Sequence, residues 1–193
     1  KGGQWEKALE LFDEMQQRGL EPSLITYTAV TSACEKGGKW EKALELFDEL
    51  QQRGLAPDVI TYSSLIAACG KGRQWQRALA FLDEMKSVGV EPNIITYGAA
   101  ISACEKGGLW RKAITLMDEL QQRGLHPDII AYSVAISACV KGGQWEKALE
   151  LFDEMQQRGL EPSLITYTAV TSACEKGGKW EKALELFDEL QQR

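Results

Sequence analysis

Residues 24–58 read LITYTAVTSACEKGGKWEKALELFDELQQRGLAPD, and variants of this 35-residue wording recur along the chain. Trp5, Trp40, Trp75, Trp110, Trp145 and Trp180 fall at constant spacing, as do Pro22, Pro57, Pro92, Pro127 and Pro162, and each interval is 35. A period sustained this way marks a solenoid whose units bury their apolar faces against neighbours. Gly37-Gly38 divides the quoted unit into two short helices. In the first, Tyr27, Val30, Ala33 and Cys34 share one stripe of a 3.6-residue helix. In the second, Trp40, Ala43, Leu44, Phe47 and Leu50 repeat the pattern, while Glu41, Lys42, Glu45, Asp48 and Glu49 occupy much of the remaining surface. Gly54 suits the left-handed residue that ends a helix, and Pro57 then blocks continuation.

The expected fold is all-α: a right-handed superhelical solenoid of helix-turn-helix repeats with about eleven helices. Residues 1–23 form a partial repeat holding a second helix, 24–58, 59–93, 94–128 and 129–163 are full repeats, and 164–193 is truncated. First helices are expected on the inner surface and second helices outside. Neither end carries an atypical polar capping unit, so the chain reads as an excerpt of something longer. Residues 1–53 are identical to residues 141–193, a displacement of four repeats.

The composition, 44% hydrophobic and 26% charged with five prolines, is that of a folded chain. No window approaches the apolar run of a membrane span, so no membrane insertion is expected. Cys34, Cys69, Cys104, Cys139 and Cys174 stand one per repeat, with no C-x-x-C pair, and read as small packed residues rather than metal ligands or disulfides. His126, the single histidine, sits beside Pro127 and supports no catalysis. No cofactor, metal or small-molecule substrate is implied. A net charge of −6 opposes general nucleic-acid affinity, so any such role must rest on where the lysines stand.

One stripe of the first helix is not explained by packing: Ile25, Thr28, Ser32 and Lys36, spaced by three, four and four. It returns in each repeat and carries Lys36, Lys71, Lys106, Lys141 and Lys176, with Lys1 in the partial first repeat. A line of evenly spaced cations beside aliphatic and small polar residues suits an extended polyanion. Solvated lysines offsetting the helix dipole fit the same pattern.

The A-x-x-x-F element from Ala43 to Phe47 is shared with tetratricopeptide repeats, but their period is 34. PSLITYTAV, KALELFDEL and QQRGLAPD, at fixed offsets along the whole chain, resemble the pentatricopeptide repeat family, and SACEKGG-x-W is similar to arrays in some algal lineages. Departures are the second-helix tryptophan, the acidity, and Ala131 where other repeats have Thr26, Thr61, Thr96 and Thr166. The resemblance implies sequence-specific binding of single-stranded RNA in mitochondrial or chloroplast RNA metabolism, one base per repeat. Carried over, Ile25, Ile60, Ile95, Ile130 and Ile165 sandwich bases, and the lysines Lys36, Lys71, Lys106, Lys141 and Lys176 approach phosphates. The implied reading pairs are Thr28 with Asp58, Ser63 with Asn93, Gly98 with Asp128, and Ser133 with Ser163, while Thr168 has its partner beyond Arg193. Thr28 with Asp58 implies guanine and Ser63 with Asn93 adenine; Asp128 beside Gly98 biases toward uracil or guanine, and Ser133 with Ser163 leaves the base open. The closing residue is taken as a loop position of little structural weight.

The rival reading is a protein-interaction scaffold or structural subunit of a large organellar complex, holding protein partners on the solenoid's concave or acidic surface. An enzyme is not expected, since no repeat brings together a nucleophile, a base and an orienting group.

Overall fold

The computed structural model describes residues 4–191, and among them every regular element is a helix. Eleven are present: α1 (Gln4–Gln17), α2 (Leu24–Lys36), α3 (Trp40–Gln52), α4 (Val59–Lys71), α5 (Trp75–Ser87), α6 (Ile94–Lys106), α7 (Trp110–Gln122), α8 (Ile129–Lys141), α9 (Trp145–Gln157), α10 (Leu164–Lys176) and α11 (Trp180–Gln191). Even-numbered elements are first helices and odd-numbered ones second helices. The chain divides between Ala103 and Cys104 into two compact units. In the first, α2 packs on α3 and α4, and α4 on α5; in the second, α8 packs on α9 and α10, and α10 on α11. Adjacent first helices therefore lie side by side within each unit.

The tyrosine stripe forms the core of each repeat. Tyr27, Tyr62, Tyr97, Tyr132 and Tyr167 are fully or almost fully buried, together with the five cysteines. Phe47 meets Tyr62 edge-on at 5.4 Å between ring centroids, as Phe152 meets Tyr167. Leu46 and Thr31, outside the stripes read from spacing, are buried too, whereas Ala33 and Trp40 are only half-buried. Glu49 departs from the outward placement expected of it. Its carboxylate accepts hydrogen bonds from Tyr27 Oη at 2.7 Å, Gln16 Nε2 at 2.8 Å and Arg53 Nη2 at 2.9 Å. Glu84 takes Tyr62 and Gln51, and Glu154 takes Tyr132 and Gln121, in the same way. This gives the buried phenol a partner and ties neighbouring second helices together.

The two residues of the Gly-Gly turn have different duties. The second adopts positive φ, +68° at Gly38 and +71° at Gly143, as needed to reverse the chain between helices. The first faces the preceding repeat's tryptophan: a methyl group added at Gly37, Gly72, Gly142 or Gly177 would overlap Trp5, Trp40, Trp110 or Trp145. The tryptophan that sets this chain apart thus fits a missing side chain one repeat on.

No described helix is long and apolar enough to cross a membrane, and the described residues contain no group of three His, Cys, Asp or Glu able to hold a metal.

Candidate nucleic-acid interface

The exposed face of the first helices is unusually apolar for open surface. Ile25, Ile60, Ile95, Ile130 and Ile165 are 80%, 56%, 68%, 67% and 73% exposed. They occupy the second position of each first helix, within its first turn, and point away from the buried tyrosine two residues on. Between two pairs of successive isoleucines lie grooves. One of about 180 Å³ is lined by Ile60, Ser63, Asn93 and Ile95, with Ser64, Ala67 and Glu35. Another of about 380 Å³ is lined by Ile130, Ser133, Ser163 and Ile165, with Ile129, Val134, Ser137 and Glu105. Each groove thus brings together two isoleucines and the fifth and closing residues of one repeat.

The closing residue is not a bare loop position, contrary to the sequence expectation. It is the N-cap of the next first helix, where its side-chain oxygen accepts an otherwise unpartnered backbone N–H. Asp58 Oδ1 accepts Thr61 N at 2.8 Å, Asn93 Oδ1 accepts Thr96 N at 3.0 Å, Asp128 Oδ1 accepts Ala131 N at 2.8 Å, and Ser163 Oγ accepts Thr166 N at 3.3 Å. One carboxylate oxygen or one end of the amide is thereby committed, and the other remains available to the groove.

A threonine absent from the expected site joins the members of three of the four reading pairs. Thr28 Oγ1 lies 2.7 Å from Thr61 Oγ1, which donates to Asp58 Oδ1 at 2.8 Å. Ser63 Oγ lies 2.7 Å from Thr96 Oγ1, itself 3.1 Å from Asn93 Oδ1, and Ser133 Oγ lies 2.7 Å from Thr166 Oγ1, 3.0 Å from Ser163 Oγ. Thr61, Thr96 and Thr166 have no exposed surface. The only sequence signal for them was the departure at Ala131, which falls 33 residues after Gly98, the repeat whose fifth residue has no hydroxyl. Gly98 and Asp128 belong to different units, and space beside Gly98 is open. Thr168 is exposed and donates to Leu164 O at 2.8 Å.

Lys36, Lys71, Lys106, Lys141 and Lys176 end their first helices and are exposed. Two of them are engaged: Lys71 Nζ reaches Glu35 Oε1 at 2.5 Å and Glu35 O at 3.1 Å, and Lys141 pairs with Glu105. These glutamates stand 36 residues before their lysines, are only 18% and 14% exposed, and line the two grooves. In the same register Lys106 and Lys176 follow the uncharged Gly70 and Val140. Lys1 lies outside the described residues.

The helix ladder and its 35-residue register agree with what family profiles detect. The pentatricopeptide repeat domain matches residues 10–72 and 47–106, the PPR repeat family 92–141 and 127–176, and a single PPR repeat 165–193. The chain belongs to the pentatricopeptide repeat family. Its fold is the all-α helical-repeat solenoid of that family. PPR10 from maize has a similar solved structure, with 34% identity and a TM-score of 0.75 over 98% of this chain and 27% of that one. PPR10 in complex with an 18-nt psaJ RNA element matches at 32% identity and a TM-score of 0.74, covering 98% of this chain and 31% of that one. The PPR domain of Arabidopsis thaliana protein-only RNase P 1, solved with tRNA, shares the fold at 19% identity and a TM-score of 0.74, covering 84% of this chain and 86% of that one. This chain therefore spans less than a third of the PPR10 chains it resembles. No curated protein sequence matches it.

Proposed function

We propose that the chain binds single-stranded RNA along the first-helix face, one base per repeat, with each base held between the isoleucines of successive repeats. The observation that carries this reading is the repeated groove in which two exposed isoleucines flank a fifth-and-closing pair. Flat apolar flanks suit base faces, and the polar floor suits base edges. Similarity to PPR10 bound to an RNA element supports the same choice. Setting the activity in mitochondrial or chloroplast RNA metabolism rests on the family resemblance.

The capping bonds supply a physical basis for base choice. Asp58 commits Oδ1 to Thr61 and keeps acceptors free, which favours a base edge rich in donors, as guanine's N1–H and N2–H₂ provide. Asn93 commits its carbonyl oxygen to Thr96, which turns its NH₂ outward as a donor and suits adenine N1. Phosphates are held chiefly at Lys36, Lys106 and Lys176, because Lys71 and Lys141 already face carboxylates.

Titrating the chain with single-stranded RNA over a range of salt tests the reading. Affinity falls steeply with salt, with a slope of about −0.7 per phosphate neutralised. A protein scaffold, favoured by the net charge of −6, shows no RNA binding even at low salt.

A further inference from the structure

We propose that the buried threonine at the third position of the following first helix is a specificity-determining positioning residue, which sets whether the fifth residue of a repeat offers a donor or an acceptor to the base. The proposal deepens the RNA-binding reading and rests on it. Thr61 shows the logic most clearly. Its Oγ1 contacts two oxygens, Asp58 Oδ1 at 2.8 Å and Thr28 Oγ1 at 2.7 Å, and it has a single hydrogen to give. Asp58 as a carboxylate can only accept, so the Thr61 hydrogen goes to it. Thr61 Oγ1 must then receive the hydrogen of Thr28. With that hydrogen turned inward, the half-exposed Thr28 Oγ1 has lone pairs alone to offer a base. The repeat presents two acceptor groups, Thr28 and Asp58, although threonine by itself could have offered either kind of bond.

The strength of this setting depends on what closes the repeat. Asn93 Oδ1 also accepts from Thr96, so the hydrogen of Ser63 is directed to Thr96 or to Val59 O, which lies 2.6 Å away. Ser163 is a hydroxyl and can donate or accept, so it enforces no direction on Thr166, and the hydrogen of Ser133 goes to Ile129 O at 2.6 Å whatever closes the repeat. The base choice at Thr28–Asp58 is therefore the one most dependent on its threonine, and that at Ser133–Ser163 the least. Burial matters as well: no water reaches Thr61, Thr96 or Thr166 to exchange the bonds.

The chain contains its own control for replacing this residue. Ala131 occupies the same register in α8, is 1% exposed, and its backbone N still reaches Asp128 Oδ1 at 2.8 Å. Alanine is thus compatible with the cap and the helix, so Thr61→Ala removes the hydroxyl and leaves the capping bond.

The test titrates the 193-residue chain, Thr61→Ala and Thr61→Ser with single-stranded uridine hexamers carrying one central G, A, C or U, at low salt. The parent prefers G by about tenfold, the scale of one bidentate base contact. Thr61→Ala reduces that preference to within about threefold while retaining affinity for the all-uridine strand, and Thr61→Ser restores it. Thr96→Ala changes the preference for A by less. Circular dichroism and thermal midpoints establish that each variant is folded. If Thr61→Ala keeps the full preference of the parent, the positioning role is overturned and the RNA reading stands. If the parent binds none of the strands, both fall together.

Discussion

The two faces of a first helix follow different rules. On the packed side, Tyr27, Tyr62, Tyr97, Tyr132 and Tyr167 are the same residue in the same buried place. On the groove side, one residue further along, the chain has Thr28, Ser63, Gly98, Ser133 and Thr168. A buried aromatic must fill its space and satisfy its hydroxyl, so changing it disturbs the phenylalanine and glutamate around it. A side chain at the groove edge can change with little packing consequence, provided the buried oxygen behind it keeps a partner. The contrast separates what makes the repeat stack from what makes one repeat differ from another.

The largest effect that would sharpen this comparison lies on the packed side. Gly72→Ala forces a methyl group into Trp40, and we expect the urea midpoint to fall by an amount equivalent to about 1–3 kcal/mol, typical of overpacking. The next residue gives the opposite sign. Arg73 has a φ of 58°, where other repeats place glycine, so Arg73→Gly raises stability by about 1 kcal/mol. Equal behaviour of the two variants would contradict the division of duties within the turn.

A smaller, pH-dependent effect also belongs to the packed side. Burial, with help from the hydrogen bond to a carboxylate, pushes Tyr27 and Tyr132 from 10.0 up to about 12, and burial pushes Cys69, Cys104 and Cys139 from 9.0 up to about 11. These raised values favour the neutral forms in the folded state, so the stability they contribute is whole below about pH 9 and lost as pH rises through 11 to 12. For Glu49 and Glu154, burial acts upward, but hydrogen bonds from tyrosine and glutamine and the neighbouring arginine outweigh it and hold both below 4.5. Their contribution is present above pH 4.5 and lost on acidification. Thermal midpoints across pH 4 to 12 should therefore fall at both ends, with RNA-face substitutions leaving the alkaline limb unchanged.

The smallest effect belongs to the groove. Glu105→Gln releases Lys141, and we expect RNA affinity to rise by a few-fold at low salt, with the salt slope steeper by about 0.7. The thermal midpoint should change little, as for other part-exposed ion pairs.

Periodicity alone carried the sequence to the helix ladder, because one repeat's pattern recurs in register and both stripes are visible at helical spacing. The isoleucines entered as a second stripe, and the reading pairs as what a resemblance implies. Three features were missed for physical reasons. Glu49 looks like any surface carboxylate until Tyr27 is seen to reach it from 22 residues away. Thr61 sits beside the tyrosine stripe, and nothing local shows that its hydroxyl meets Thr28, 33 residues earlier. The lysine line looked uniform because its counter-charges, Glu35 and Glu105, belong to the preceding repeats, where Gly70 and Val140 interrupt them.

The central claim, that the groove reads bases through fifth and closing residues, is tested most directly by Asp58→Asn. Asparagine is as good an N-cap as aspartate, so the helix and its stability are retained. What changes is the edge offered to the base, from carboxylate oxygen to amide NH₂. Competitive binding of short single-stranded RNAs differing at one base should show the preference at that repeat moving from guanine toward adenine by about 1–3 kcal/mol, with other positions unaltered. If parent and variant rank the four bases identically while both remain helical by circular dichroism, base reading by this pair is contradicted and the protein scaffold becomes the better account.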